Sequence, residues 1–230
     1  MGISPLLGWF LSLWTERFSK AMMSGTSKQV VSSSILGQES VSETKSEKES
    51  KKDWTNVESN SVRFKLFVSQ SIFFETGGDK SGGYTNDPDD RGGETKWGIS
   101  KRAHPHLNIK SLTYNNAVEI YRDQYWNRHY DYIRSNALGF KLFDMGILNG
   151  RGRAVKILQK AVKASGYLVR VDSNFGPISL AAVNNINPEV LYENYIKRFE
   201  TRFRKLVIRI QNNKKYLRGW LNRLHWKWAT

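Results

Sequence analysis

Glu75 stands directly after an apolar run, Ile72-Phe73-Phe74, and directly before Thr76 and two glycines. The upstream pattern Arg63-Phe64-x-Leu66-Phe67-x-x-Gln70-x-Ile72-Phe73-Phe74 predicts a helix, capped by Ser61 and ending at Glu75. At a helix C-terminus the unpaired carbonyls give a negative potential, and the aromatic flank withdraws water. Both effects disfavour a carboxylate and predict a raised pKa. A carboxylic acid that keeps its proton near neutral pH can protonate a leaving oxygen, as cleavage of a glycosidic bond requires. The residues alone leave a second reading open, in which Glu75 is a helix-terminal glutamate facing water.

The acids that follow are less distinctive. Asp87, Asp89 and Asp90 lie among Asn, Pro and Gly, where Asp favours turns by bonding its own backbone. The run Asp87-Pro-Asp-Asp-Arg-Gly has a faint likeness to a calcium loop, but Arg91 falls on a ligand position and Gly98 where the bidentate acid belongs. His104 and His106 flank Pro105 without a partner motif, and His129 and His225 stand alone, so no metal is expected. The chain has no cysteine, which excludes disulfides and thiolate metal sites. No phosphate loop or nucleophile elbow occurs, and no cofactor is expected.

The elements that must hold these residues are mainly helical. Residues 82–99 read as turns and short strands. Thr113 caps a helix with Ala117, Ile120, Tyr121 and Tyr125 on one stripe. A helix over 151–164 follows the Gly-rich turn Asn149-Gly-Arg-Gly, Gly176-Pro177 opens a short one, and Asn187-Pro188-Glu189 starts a long one. Five or six helices and one small β element make a mainly α domain.

Upstream, residues 3–22 place Ile3, Leu6, Leu7, Phe10, Trp14, Phe18 and Met22 at helical spacing. The unbroken apolar part is too short to span a bilayer, and a docking helix is expected over 1–23, with a helix packing on its own domain as the competing reading. Residues 24–60 have the Ser-rich, mixed-charge composition of a linker. Charge is uneven: 1–60 hold seven Lys/Arg and seven Asp/Glu, so the net +15 falls entirely in 61–230. Residues 197–230 alone carry eleven Lys/Arg against Glu200. Such a field attracts polyanions, whether nucleic acid, anionic lipid or an anionic cell wall.

The stretch Gly82-Gly-Tyr-Thr-Asn-Asp-Pro-Asp-Asp-Arg-Gly-Gly-Glu-Thr-Lys-Trp-Gly-Ile-Ser100 resembles the signature of the glycoside hydrolase 108 family of N-acetylmuramidases. Ile120–Trp126 is similar to that family's second helix. Leu148–Val162, Asp172–Val183 and Tyr216–Arg223 resemble its C-terminal peptidoglycan-binding region. The resemblance implies a lysozyme-like helical fold with a small β-hairpin at the active site, a catalytic region over 61–140, and a peptidoglycan-binding region over 141–230 packed with it. It implies cleavage of the β-1,4 bond between N-acetylmuramic acid and N-acetylglucosamine.

Carried onto this sequence, the resemblance makes Glu75 the catalytic acid. The family runs from Glu straight to Gly-Gly-Tyr, whereas Thr76–Ser81 intervene here. A longer loop rim with Glu75 still at the helix end accommodates that difference better than Asp79 acting instead. Asp90 or Asp87 is the candidate charge stabiliser or water-positioning base, with Glu94 behind, and Thr95 the candidate holder of the attacking water. Tyr84, Trp97, Tyr125 and Trp126 are candidate sugar contacts, with core packing the competing role. The expected partners are peptidoglycan and a phage structural protein bound by 1–23, without nucleic acid or a membrane span. The expected location is a phage virion acting at the host wall. A lysis endolysin present in the host cytoplasm, or a silent wall-binding protein, is the alternative. A nucleic-acid binder would explain only the basic tail.

Overall fold

A computed structural model describes residues 62–86 and 93–228. The expected docking helix 1–23, the linker 24–60, the Ser61 cap, and Asp87 and Asp90 lie outside the described residues. Seven α-helices and one two-stranded hairpin form the described part: α1 (Val62–Thr76), β1 (Thr95–Lys96), β2 (Ile99–Ser100), α2 (Tyr114–Tyr125), α3 (Asn136–Asn149), α4 (Arg151–Ala164), α5 (Pro177–Asn185), α6 (Pro188–Arg209) and α7 (Lys214–His225). Short 3-10 turns at Arg128–Tyr132 and Gln211–Asn213 join α2 to α3 and α6 to α7.

Local signals start the helices. Thr113 and Asn116 close a reciprocal capping box on α2. Ser135 caps α3 through the Leu138 amide. Asn187 accepts from the Glu189 and Val190 amides ahead of Pro188 on α6.

α3 is the centre of the molecule and the helix that the sequence reading does not name. Every residue from Ala137 to Asn149 is buried, and α1, α2, α4 and α6 pack around it. A helix covered on all sides carries no polar face, so it shows no amphipathic period to read. The expected boundary at 140/141 falls inside α3. Rings fix α3 to α1 and to the segment after α7. Phe140 lies 5.4 Å from Phe67, 5.2 Å from Trp226 and 5.0 Å from Trp228, centroid to centroid. Such ring pairs add roughly 1 kcal/mol each beyond the area they bury.

Candidate active site

α1 delivers Glu75 one residue before its C-terminal end. The residue as a whole is half-buried, because its backbone lies at the accessible helix end, but its side chain is only 1% exposed. Arg223 of α7 reaches it, donating from Nη1 to Glu75 Oε1 at 2.6 Å. The same guanidinium forks onto Asp144 of α3, with Nη2 donating to Oδ1 at 2.7 Å and Nε to Oδ2 at 3.1 Å. Ser71, one turn before Glu75 on α1, donates to Asp144 Oδ1 at 3.1 Å. Phe74 closes one side, its ring 5.4 Å from the guanidinium carbon.

Two carboxyls and one guanidinium share this buried space. Burial pushes the Glu75 carboxyl up to about 7, with Arg223 opposing the rise and Asp144 reinforcing it. Burial also works against the charge of Arg223, but Asp144 and Glu75 more than offset it and hold the guanidinium protonated. The pair therefore divides unequally. Asp144, forked and bonded by Ser71, is the principal counter-charge, and Glu75 is the group that takes up a proton.

The hairpin packs against this acid. Thr95 pairs with Ser100 and Lys96 with Ile99, leaving a two-residue turn whose members, Trp97 and Gly98, have φ of 54° and 77°. That is the turn geometry which follows the twist of a tight hairpin. At Gly98 any side chain is strained, because a Cβ would strike the Tyr121 hydroxyl and lie 3.0 Å from Glu75 Cβ and Cγ. Trp97 tolerates its left-handed backbone because it is held on several sides. Its Nε1 donates to Leu112 O at 3.1 Å, its carbonyl accepts from Tyr121 Oη at 3.0 Å, and its amide donates to Gly82 O at 2.7 Å.

The remaining sequence candidates divide in two. Tyr125 is half-buried and close enough to Glu75 that, after burial, the Glu75 charge is what raises its hydroxyl pKa. Thr95 is 5% exposed, and its Oγ1 has no protein partner. Thr85, joined to Thr95 by two 2.9 Å backbone hydrogen bonds, leaves its own Oγ1 unpartnered as well. Tyr84 is half-buried and donates to Glu94 Oε1 at 2.8 Å, which occupies both groups. Trp97 is buried against Gly82 and Tyr114. Trp126 is ringed by Phe64, Phe67, Tyr130 and Phe143 at 5.1–6.1 Å. Both indoles are therefore in ring contact with the core, Trp97 buried and Trp126 half-buried.

Asp79, the alternative acid, accepts from the Ser81 amide at 2.8 Å and the Ser81 hydroxyl at 2.7 Å, and so holds the turn that the extra residues form. Among the described residues no group of three or more His, Cys, Asp or Glu is placed to hold a metal, and no helix is long and apolar enough to cross a membrane.

Sequence reasoning missed Asp144 and Arg223. The available signal was Asp144 itself, together with Lys141, set in the otherwise apolar run Ala137–Leu148. Charges in such a run require buried partners.

Comparison with known proteins finds two matching families along the chain. Residues 78–150 match the family described as Glycosyl hydrolase 108, and residues 153–225 match the Predicted Peptidoglycan domain. Glu75 thus precedes the first matched residue, Gly78, while Arg223 belongs to the second matched segment. A structure of SagA from Brucella abortus is similar at 25% identity and a TM-score of 0.55, over 70% of this chain and 88% of that one. No curated protein sequence matches.

Proposed function

We propose that this peptidoglycan hydrolase, a glycosyl hydrolase 108 domain joined to a peptidoglycan domain, cleaves the β-1,4 bond between N-acetylmuramic acid and N-acetylglucosamine with Glu75 as its general acid. One observation carries the assignment of Glu75. A carboxyl at a helix end, shielded from water and touching the hairpin, is held protonated up to about pH 7. That is the protonation state from which a leaving oxygen can be served near neutrality.

The surrounding residues take complementary parts. As Glu75 gives its proton to the glycosidic oxygen, the carboxylate it becomes is received by Arg223, already 2.6 Å away, so the charge created in the step has a partner waiting. The free hydroxyl of Thr95, with that of Thr85 beside it, suits the holding of a water or a sugar hydroxyl. Tyr125 and Tyr84 are the aromatic residues assigned to the sugar, Tyr84 through its ring, since its hydroxyl is held by Glu94. Asp90 or Asp87 takes the second carboxylate role, on the sequence pattern alone.

Glu75→Gln tests the reading. It keeps the shape and a hydrogen-bonding oxygen but cannot give a proton. Hydrolysis of peptidoglycan should fall by about a thousandfold or more, with folding retained and binding to wall sacculi unchanged. Wild-type lysis by this variant would remove Glu75 from the reaction.

The setting proposed for this activity is a phage particle that opens the host wall. An amphipathic pattern over 3–22 followed by a Ser-rich tether suits attachment of an enzyme to a larger protein body. Deleting 1–25 should leave lytic activity in the purified protein and remove it from particles. Particles that still carry the truncated enzyme at normal copy number would overturn the docking role of 1–23.

A further inference from the structure

One buried cation has no part in the chemistry described so far. Lys141 lies on α3, one turn before Asp144, and is 0% exposed. Among the described residues no carboxylate lies within ion-pair distance of its ammonium. The Nζ donates instead to the backbone carbonyl of Arg223 at 2.7 Å, with the Phe140 ring 5.6 Å away. The Arg223 carbonyl belongs to the last turn of α7, where carbonyls lack helical partners. An ammonium in such a place is costly, and an apolar residue of equal volume would hold the fold as well or better. What the lysine adds is location. It grips the main chain of the residue whose guanidinium donates to Glu75.

We propose that Lys141 is a positioning residue of the hydrolysis: by holding the main chain of Arg223 from α3, it fixes the guanidinium against Glu75. The chain of contacts is continuous, from Lys141 Nζ to Arg223 O and from Arg223 Nη1 to Glu75 Oε1. The charged groups around Lys141 are Asp144 on its own helix and Arg223 on α7, with Glu75 of α1 on the far side of the guanidinium. Tyr192 and Tyr195 of α6 feel Asp144 from the remaining side. In the same cluster, burial brings the ammonium down to about 7, with Asp144 opposing and Arg223 adding to the fall. The inference rests on Glu75 being the acid, and its test separates the two claims.

The full-length protein carrying Lys141→Met loses the donor while keeping a side chain of similar length. If Arg223 loosens, Glu75 loses part of its facing positive charge and holds its proton to higher pH. The 13C-observed titration of the Glu75 carboxyl should move up by about half a pH unit or more. The alkaline limb of kcat on soluble peptidoglycan fragments should follow it. The kcat itself should drop by about tenfold with KM within about twofold, because the acid is misplaced and not the sugar.

An unmoved Glu75 titration and an unmoved alkaline limb in a folded variant would overturn the proposal, even with a lowered Tm, and leave Lys141 a plain cap of α7. A shifted Glu75 in a protein whose wild type does not hydrolyse walls would uphold the positioning and remove the catalytic reading. Should Lys141→Met not fold, Lys141→Gln is read by the same criteria.

Discussion

At the scale of single residues, the cluster of Glu75, Arg223, Asp144 and Lys141 makes stability depend on pH in a way that ordinary surface charge does not. Glu75 holds its proton in the folded protein up to about 7, against 4.5 when unfolded. Between those values the folded state binds more protons, so its contribution to stability falls as pH rises through that window. Lys141 works in the opposite sense. Its ammonium releases its proton at about 7 when folded and at 10.5 when unfolded, so stability rises with pH across that interval. The cluster therefore contributes least near neutrality. Melting curves of wild type minus Glu75→Gln should decline from pH 4.5 to 7, and those of wild type minus Lys141→Met should climb above pH 7. Flat differences would show that neither group is buried as the structure has it. Arg223→Met should cost roughly 3–5 kcal/mol in urea unfolding at neutral pH, because it leaves Asp144 buried without its cation.

At the scale of elements, the hairpin and α1 form one rigid corner. The Trp97-Gly98 turn touches Glu75 and Tyr121, and both of its residues sit in the left-handed region. Gly98→Ala adds a methyl group where the Tyr121 hydroxyl and the Glu75 stem already are, and it strains the backbone as well. It should destabilise by roughly 1–3 kcal/mol and lower kcat more than it raises KM, a split that steady-state kinetics on soluble fragments would read. α3 has the opposite task, to present Lys141 and Asp144 from within an apolar body. Phe143, buried and 5.3 Å from Trp126, is part of that body. Phe143→Ala should cost roughly 3–5 kcal/mol in chemical denaturation without altering the pH dependence of hydrolysis.

At the scale of the whole molecule, the two matched segments do not act as separate modules. Arg223, 148 residues from Glu75 in sequence, pairs with it. A fragment spanning 62–150 keeps Glu75 and Asp144 and loses their cation, so it should neither hydrolyse peptidoglycan nor unfold cooperatively. The span 62–228 should melt in a single transition. The basic field belongs to the outer end of the molecule. Lys205, Arg209, Lys214 and Lys215 are exposed around the α6–α7 junction, beside an open cavity of about 510 Å³ lined by Gln211, Asn212, Lys214 and Lys215. Replacing the four with Gln should weaken co-sedimentation with wall sacculi at low salt. The difference should vanish at high salt, where exposed charges are screened.

What the sequence determined by itself is local. Thr113, Asn187 and Pro188 start their helices through groups two or three residues away. Gly77 and Gly78, both at positive φ, end α1 just past Glu75, and the order of glycines and acids after them carries the family resemblance. Those features act over a few residues, or over one helical face, and so leave a pattern along the chain. Only the tertiary structure decided that α3 exists as the buried axis, since a helix covered on every side shows no period. Only it could bring Arg223 to Asp144 and Glu75 across 79 and 148 residues, a pairing that no spacing encodes. The same packing set Trp97 and Trp126 in ring contact with the core while leaving the hydroxyl of Thr95 unpartnered. An aromatic or a threonine in a strand reads alike whether it packs or binds, and the difference lies in which neighbours the fold sets against it.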